Sequence, residues 1–435
     1  MSRPELNTLQ NLLLDKTVLA QLTEPLHKIL GDLRHHHSQF TTLTMPLFSV
    51  LGCLRHLMGT TTLRGQVQDL YHLVEADKVP LARSTWSDAL NSPQRQDVLE
   101  RVLPKLYSLA QTQLPDRLAD IPGLGERSVY AVDGTYQQES CHFQRSTPKQ
   151  GGTDNPKGHC LMPYFDVRLG IPIDVSVDVS SAHETTLLKA YALEKHSLLR
   201  DEGALWLADR GFVDATFWDS IKQARDVEVI TRFKTNLVIT ERNARPIEPL
   251  LLNEGILSDE HVQLKSSAQL WRLISYKTST GQTYTYLTNN FDLEPGVIAF
   301  LYLRRWDEEK CFDTWKNDLG QKKAWGKGVT AIRNQTLLAI ITSILVALLM
   351  NEQQKQWGIG DEKSLAKQEK RFHDAITEKQ QNDKEKETRP WYLLYYNNVS
   401  KVSRQVFRFF KSCLLKRASK RLYERQLKPL LLAYL

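Results

Sequence analysis

The middle of the chain alternates between short apolar runs and helical segments, and this order restricts the fold more than any other feature. Five runs are typical of strands: residues 128–133, 159–167, 170–180, 204–209 and 227–233. Segments with helical spacing of apolar residues separate the last three of these runs. The order of three strands, helix, strand, helix and strand predicts an α/β core with a mixed sheet.

The regions around this core differ in their patterns and predict further domains. Residues 1–126 carry apolar side chains at three- and four-residue spacing, which predicts a helical domain. Residues 234–292 are rich in strand-forming residues and predict a β insertion between two parts of the core, 127–233 and 293–355. Residues 356–435 begin with a highly charged stretch and predict a linker followed by a basic helical region.

One helix of the first region is a candidate for contact with DNA. Thr85 and Asp88 have the spacing of a capping box, which predicts a helix start there, after Pro80. The side chains that this helix would present to a DNA groove are Arg83, Ser84, Trp86 and Ser87. An ordinary surface helix explains the same pattern.

The charge and the apolar content of the chain indicate which partners and which cellular compartment to expect. The net charge of +7 indicates a polyanionic partner, although ordinary soluble proteins are often equally basic. The five cysteines show no CxxC spacing and the first residues form no apolar signal core, which favours a cytoplasmic protein. The apolar run 337–350 is short for crossing a bilayer, so we expect a buried core helix and no membrane partner.

The stretch YLRRWDEEKCFDTWK, residues 302–316, groups an acid with polar and basic side chains. On a helix, which turns about 100° per residue, four residues share one narrow stripe: Tyr302, Arg305, Glu309 and Lys316. Asp307 and Glu308 point away from that stripe, and Trp306 lies at its edge, where it can stack on an unpaired base. The stripe suits a phosphodiester, with Glu309 as metal ligand, although an ion-paired helix face is the ordinary alternative.

Two further acids stand at the ends of strands that we expect to be neighbours. Asp133 ends the run 128–133 and Asp209 ends the run 204–209; Gly134 directly follows the first, and Gly211 follows the second after one residue. Two strand-end aspartates and a glutamate can hold two divalent ions, and oxygen ligands favour Mg²⁺ or Mn²⁺ over zinc. Other acids that can replace one of these three are Asp166, Asp178 and Glu184.

The spacing Tyr302-x2-Arg305-x3-Glu309-x6-Lys316 resembles the Tyr-Arg-Glu-Lys signature of bacterial insertion-sequence transposases with an Asp-Asp-Glu triad. The motifs VDGTY around Asp133 and ADRGF around Asp209 look like the first and second acid motifs of that family, in the right order. The resemblance implies a ribonuclease H-like core. It also implies a β insertion between the second aspartate and the glutamate, where this chain has 99 residues.

The resemblance further implies a function. It implies cut-and-paste transposition, in which Asp133, Asp209 and Glu309 hold two Mg²⁺ or Mn²⁺ ions and the N-terminal helices bind DNA. Tyr302, Arg305, Trp306 and Lys316 would contact the DNA near the scissile phosphate. The partners would be the double-stranded ends of the element, target DNA and a second copy of the chain, in the bacterial cytoplasm at the nucleoid.

Two alternatives stay open. One is a ribonuclease H-like nuclease that cuts DNA without strand transfer, and the other is a transposase-derived DNA-binding protein without catalysis.

Overall fold

The structure is a computed structural model that describes part of the chain. The described residues are 17–58, 82–138, 158–179, 183–194, 196–278, 281–305, 324–326 and 328–356. The chain divides into two compact units: Met1–Ala89 with Asp97–Leu114 and Ile341–Leu435, and Leu90–Gln96 with Pro115–Ile340. The finer domain boundaries drawn from the sequence stay predictions.

The described part of the first unit is built from helices. They are α1 Thr17–Asp32, α2 Met45–Met58, α3 Arg83–Leu90, most of α4 Pro93–Gln113 and the later part of α8 Val329–Gln356. Helix α2 is buried at nearly every described position because its sequence is apolar almost throughout. The helical character predicted for the N-terminal region is confirmed over these residues.

The predicted start of α3 is wrong. The helix begins at Arg83, so Thr85 and Asp88 lie inside it and form no capping box at its start. Trp86 is only 2% exposed, and its ring centroid lies 5.2 Å from that of Phe48 in α2. Burying a large aromatic ring stabilises a fold by about 2 kcal/mol or more, so Trp86 serves the core and does not face a DNA groove. Ser87 is exposed, as the DNA-contact hypothesis requires.

The second unit is organised by one mixed sheet. Its strands among the described residues are β1 Val129–Val132, β2 Thr135–Gln138, β3 Gly158–Asp166, β4 Ile171–Val179, β5 Leu205–Ala208, β6 Glu228–Arg232, β7 Ile239–Ala244, β8 Ile256–Leu264, β9 Leu270–Lys277 and β10 Thr283–Thr288. The helices are α5 Glu184–Leu193, α6 Ala215–Arg225 and α7 Pro295–Arg304, together with the first part of α8. The five predicted strands and both predicted helices between them are confirmed.

The strand order has a ribonuclease H-like arrangement. Strands β4, β3 and β1 are antiparallel neighbours, and β5 and β6 follow on the other side of β1 as parallel strands. The central parallel strands β1 and β5 are buried at every position, as expected for strands covered on both faces. This order brings the ends of β1 and β5 to the same edge of the sheet.

The residues of the predicted β insertion extend the same sheet. Strand β10 pairs antiparallel with β6, and β9, β8 and β7 follow outward in that order. The sequence predicted strands here but gave no sign that they would continue the core sheet. Apolar residues of β9, β10 and α7 share one buried cluster with residues of β1 and β5.

Helix α8 contains the long apolar run near the end of the described chain. Its residues 329–352 are long and apolar enough to cross a membrane by length and composition, but most of this stretch is buried inside the protein. Core helices of soluble proteins share these properties. The predicted buried helix is confirmed, and it is longer than the run 337–350 from which it was predicted.

Candidate active site

Asp133 stands at an interruption in a long strand. Strands β1 and β2 pair with β3 in the same register on either side of Asp133 and Gly134. This register places Asp133 opposite Pro163, which has no backbone N–H to donate across the pair. The Asp133 Oδ1 atom accepts a hydrogen bond of 2.8 Å from the Gly134 N–H. Asp133 therefore lies where the hydrogen-bonded pairing with β3 is interrupted.

Asp209 directly follows the neighbouring strand β5, just as Asp133 directly follows β1. Ala208 of β5 lies opposite Val132 of β1 in the parallel pair, so each aspartate is the next residue after a paired position. Asp209 precedes the 3-10 turn Arg210–Phe212 without a side-chain capping hydrogen bond, and its carbonyl accepts a hydrogen bond of 3.3 Å from Thr231 Oγ1. The prediction that these strands are neighbours is confirmed. Their shared edge is where α/β sheets commonly build sites.

Glu184 brings a third carboxylate to this edge. It is the first residue of α5, and its side chain is half-buried. A Cβ atom at position 134 would overlap the Glu184 carboxylate, and one at position 211 would lie 3.4 Å from Glu184 Oε2. The Glu184 carboxylate therefore lies beside both glycines that follow the two aspartates.

Arg305 compensates part of this negative charge. It follows the last residue of α7, and its Nη1 donates a hydrogen bond of 3.0 Å to Asp133 Oδ2. The side chains of the pair are only 6% and 21% exposed, for Arg305 and Asp133 respectively. The Arg305 charge therefore offsets part of the cost of burying the Asp133 carboxylate, and burial remains the larger effect on its pKa.

Tyr302 contributes a buried hydroxyl to the same region. The residue is 4% exposed, and its hydroxyl has no hydrogen-bond partner among the described residues. The Arg305 guanidinium lies over the ring, 5.7 Å from its centre. Burial raises the pKa of Tyr302 to about 12, the Arg305 charge opposes this shift and the Asp209 charge adds to it. The hydroxyl is therefore a buried donor close to both charges.

The three carboxylates repel one another. Burial raises the pKa of Asp133 to about 6; Arg305 and the Gly134 N–H oppose this shift, and the charges of Asp209 and Glu184 add to it. Burial also raises the pKa of Glu184, with a further contribution from Asp209 and an opposing one from His183. A divalent cation is the ligand that would relieve such repulsion between ionised carboxylates.

The donor chemistry of the site fits Mg²⁺ or Mn²⁺, because the available ligands are carboxylate oxygens. Over the described ranges, no three acidic, histidine or cysteine side chains are grouped closely enough to hold an ion as they stand. Both oxygens of Asp133 are engaged, one by Gly134 and one by Arg305. Each oxygen accepts one hydrogen bond and keeps a further lone pair.

The remaining predicted site residues cannot be placed in this geometry. Trp306, Glu309 and Lys316 lie outside the described residues. The described helix ends at Arg304, and Arg305 keeps helical dihedral angles in the turn that follows. The helix phase that groups Glu309 and Lys316 with Tyr302 and Arg305 therefore stays a prediction.

The strand directions place two of the alternative acids, Asp166 and Glu184, at opposite edges of the sheet. Strand β3 runs opposite to β1, so Asp166 at its end lies at the far edge of the sheet, where its Oδ1 accepts a hydrogen bond from the Leu169 N–H. Strand β4 runs in the same direction as β1, so the helix that follows it begins at the edge of the aspartates. Glu184 begins that helix, and this strand direction is the signal that identifies it.

Comparison with known proteins identifies a family. The family described as "Transposase DDE domain" matches residues 124–345, a range that contains the whole mixed sheet. A protein of Sinorhizobium fredii named "Putative transposase y4zB" is 28% identical over 158 residues, which cover 34% of this chain and 43% of that protein. The chain thus matches less than half the length of this relative.

A solved structure shows a distant likeness. It is a cryo-EM structure of the piggyBac transposase synaptic complex with hairpin DNA, 8% identical in sequence. The alignment covers 98% of this chain and 85% of that chain, with a TM-score of 0.39. A likeness at this level carries no argument about the site or the activity.

Proposed function

The chain belongs to the family of proteins with a transposase DDE domain, and we propose that it is a DNA transposase that moves an insertion sequence by cutting and pasting. One observation carries this proposal. Asp133 and Asp209 leave neighbouring parallel strands at the same level, which is the arrangement that the first two acids of the triad require. The third acid in the proposal is Glu309, on the evidence of the sequence signature.

The proposed reaction has two steps at phosphorus. In the first, a water oxygen attacks a phosphodiester at the end of the element and the bond to the 3′ oxygen breaks, which leaves a 3′-hydroxyl and a 5′-phosphate. In the second, that 3′-hydroxyl attacks a phosphodiester of the target DNA and displaces the target's 3′ oxygen. Two bound Mg²⁺ or Mn²⁺ ions would activate the attacking oxygen and stabilise the leaving one. Asp133, Asp209 and Glu309 would hold these ions.

The described residues have separate tasks in this proposal. Arg305 holds Asp133 in place before DNA binds, because its guanidinium donates to the carboxylate from a buried position. When DNA enters, the same guanidinium would pair with a phosphate. The hydroxyl of Tyr302 is a buried donor that lacks a described acceptor, and a phosphate oxygen would provide one. Trp306 and Lys316 are proposed to contact the DNA beside them.

The proposed partners follow from the reaction. They are the double-stranded ends of the element, the target DNA and a second copy of the chain that pairs the two ends. The net charge of +7 supports binding to the phosphate backbone. The basic segment 401–429, with ten Lys or Arg against one Glu, is the proposed contact between subunits and with DNA, and it lies outside the described residues. We place the protein at the nucleoid in the bacterial cytoplasm.

The test uses the DNA that flanks the gene, because the element ends lie there. Purified full-length protein is incubated in Mg²⁺ with labelled uncut ends and, separately, with ends already cut to expose the 3′-hydroxyl. A transposase cuts the first substrate and joins the second to target DNA. Cutting without joining would instead indicate the nuclease, and binding without either reaction would indicate a DNA-binding protein without catalysis.

A further inference from the structure

We propose that Arg232 binds a phosphate of the DNA strand beside the bond that is cut. The proposal rests on the transposase activity proposed above and adds to it a DNA contact on the β6 side of the two aspartates. It follows from the register of the sheet, from the aromatic ring that orients the Arg232 guanidinium and from the lack of an acidic partner for it among the described residues.

The register of the sheet places Arg232 in one row with the two aspartates. Three residues pair side by side across β1, β5 and β6: Val132, Ala208 and Thr231. The next residues along the chain are Asp133, Asp209 and Arg232. Neighbouring strands lie about 4.8 Å apart, so Arg232 lies about one strand spacing from Asp209 and about two from Asp133.

The alternation of side chains along the strands places the three residues on one face of the sheet. The residues two positions before them belong to the buried cluster that includes α7: Ala131, Leu207 and Ile230. Side chains two positions apart in extended backbone point to the same face. The side chains of Asp133, Asp209 and Arg232 are therefore on the face of the sheet where α7 lies.

An aromatic ring orients the Arg232 guanidinium. The guanidinium lies over the ring of Tyr284 on β10, 5.0 Å from the ring centre. Strand β10 is on the opposite side of β6 from β5, so the guanidinium leans away from Asp209. Over the described part of the chain it forms no ion pair and no hydrogen bond. Stacking of this kind fixes the plane of a guanidinium and leaves its N–H donors available.

Aromatic contacts connect Arg232 to the candidate active site. Tyr286 pairs with Arg232 across the strands, and its ring centroid lies 5.0 Å from that of Tyr302. Burial raises the pKa of Tyr302 to about 12; the Asp209 charge adds to this shift and the Arg232 charge opposes it. The charges of Asp209 and Arg232 therefore act on the same buried hydroxyl.

A free surface arginine is the ordinary alternative, but Arg232 is partly buried. A cation that loses part of its hydration without a counter-ion is unfavourable, so the position suits an anionic ligand. The proposed reaction holds the scissile phosphate at the aspartates, and the adjacent phosphates of the same strand then lie to either side. A guanidinium can donate two parallel hydrogen bonds to phosphate oxygens. A DNA phosphate is therefore the ligand that fits this position.

The experiment measures binding of the full-length protein to labelled element-end DNA over a range of NaCl concentrations, in EDTA so that no DNA is cut. We expect Arg232→Gln to raise the Kd about tenfold, the effect of losing one hydrogen bond to a charged group. The slope of log Kd against log salt should fall by about 0.9, the value for one phosphate contact. Arg232→Lys keeps the charge and should keep the slope of the wild type.

A matched control is Arg225→Gln, which removes an exposed arginine at the opposite edge of the sheet, before β6 begins. It should change neither the Kd nor the slope. Thermal unfolding of each variant shows whether it is folded.

A second set of DNA probes locates the contact. Each probe carries one uncharged methylphosphonate in place of a phosphate next to the cleavage site. The wild type should lose affinity for one of these probes, and Arg232→Gln should lose no more with that probe, because the contact is already absent. Full additional loss at every such position would overturn the proposal, because the contact would lie elsewhere.

Two further outcomes separate this proposal from the proposed function. If Arg232→Gln keeps the Kd and the slope of a wild type that binds and cuts element-end DNA, the role of Arg232 is overturned and the proposed function stands. A wild-type protein that neither binds nor cuts this DNA would overturn both.

Discussion

Replacing Asp133 with asparagine should stabilise the metal-free protein at neutral pH. The native environment raises the pKa of Asp133 from its usual 3.8 to about 6, with burial as the largest cause. Between these two values the native state holds a proton that the unfolded state has lost. Stability therefore falls as the pH rises through this window, and above it the ionised Asp133 is a constant destabilising charge.

The size of the effect follows from the shift in pKa. A shift of about two units, at about 1.36 kcal/mol per unit, makes the ionised carboxylate cost about 3 kcal/mol at pH 8. Asp133 is only 21% exposed, so solvent screening reduces this figure little. Asparagine resembles the protonated carboxyl in shape, and its single amide oxygen can still accept one of the two hydrogen bonds, from Gly134 or from Arg305. At pH 5 the stabilisation by Asp133→Asn should fall to about half of its value at pH 8.

The assay is thermal or urea unfolding in EDTA, at pH 5 and pH 8, for the wild type, Asp133→Asn and the exposed-site control Glu202→Gln. We expect the Asp133→Asn variant to unfold at a higher temperature, with the larger gain at pH 8, and the control to match the wild type. Excess Mn²⁺ should reduce the difference, because it stabilises only the protein that can bind it. A variant less stable than the wild type at pH 8 would show that the Arg305 pair outweighs the burial of the charge.

Glu309→Gln should abolish DNA cleavage while Glu308→Gln leaves it largely intact, because helix phase turns Glu308 away from the stripe; the reverse result in a cleavage gel would disprove the phase argument. Tyr302→Phe should leave the melting temperature unchanged or slightly raised, since it removes a hydroxyl without a described partner, and should lower the cleavage rate. Unchanged cleavage would exclude the hydroxyl from DNA contact. Removing residues from 401 onward should preserve the single-end DNA complex on native gels and eliminate the paired-end complex; undiminished paired complexes would show that this segment is not a subunit contact.

Much of the α/β core is predictable from the sequence because its strands are short, apolar and separated by amphipathic helices. The pairing of β1 with β5, which makes Asp133 and Asp209 neighbours, joins strands that are not consecutive, because the helix before β5 connects it to β4 and β4 pairs with β3. The capping box at Thr85 failed because a local pattern competes with the burial of Trp86, which only the tertiary structure reveals. The local sequence pattern predicted a helix here correctly but placed its start too late in the chain.

Two other features depend on pairings between distant residues. The insertion strands join the core sheet through the contact of β10 with β6, and no local pattern specifies which edge a strand will extend. Glu184 stood among the alternatives because it does not end a strand, and its place at the site follows only from the direction of β4. Arg305 was predicted to contact DNA, and its buried ion pair with Asp133 was not visible from helix phase.

The central claim is that the two strand-end aspartates carry out metal-dependent DNA cleavage. The most direct test is single-turnover cleavage of labelled element-end DNA in Mg²⁺ by Asp133→Asn, Asp209→Asn and the control Glu202→Gln, with DNA binding measured alongside. We predict that both aspartate variants bind the DNA nearly as well as the wild type and do not cut it, whereas the control cuts it normally. Cleavage at the wild-type rate by either aspartate variant would contradict the claim.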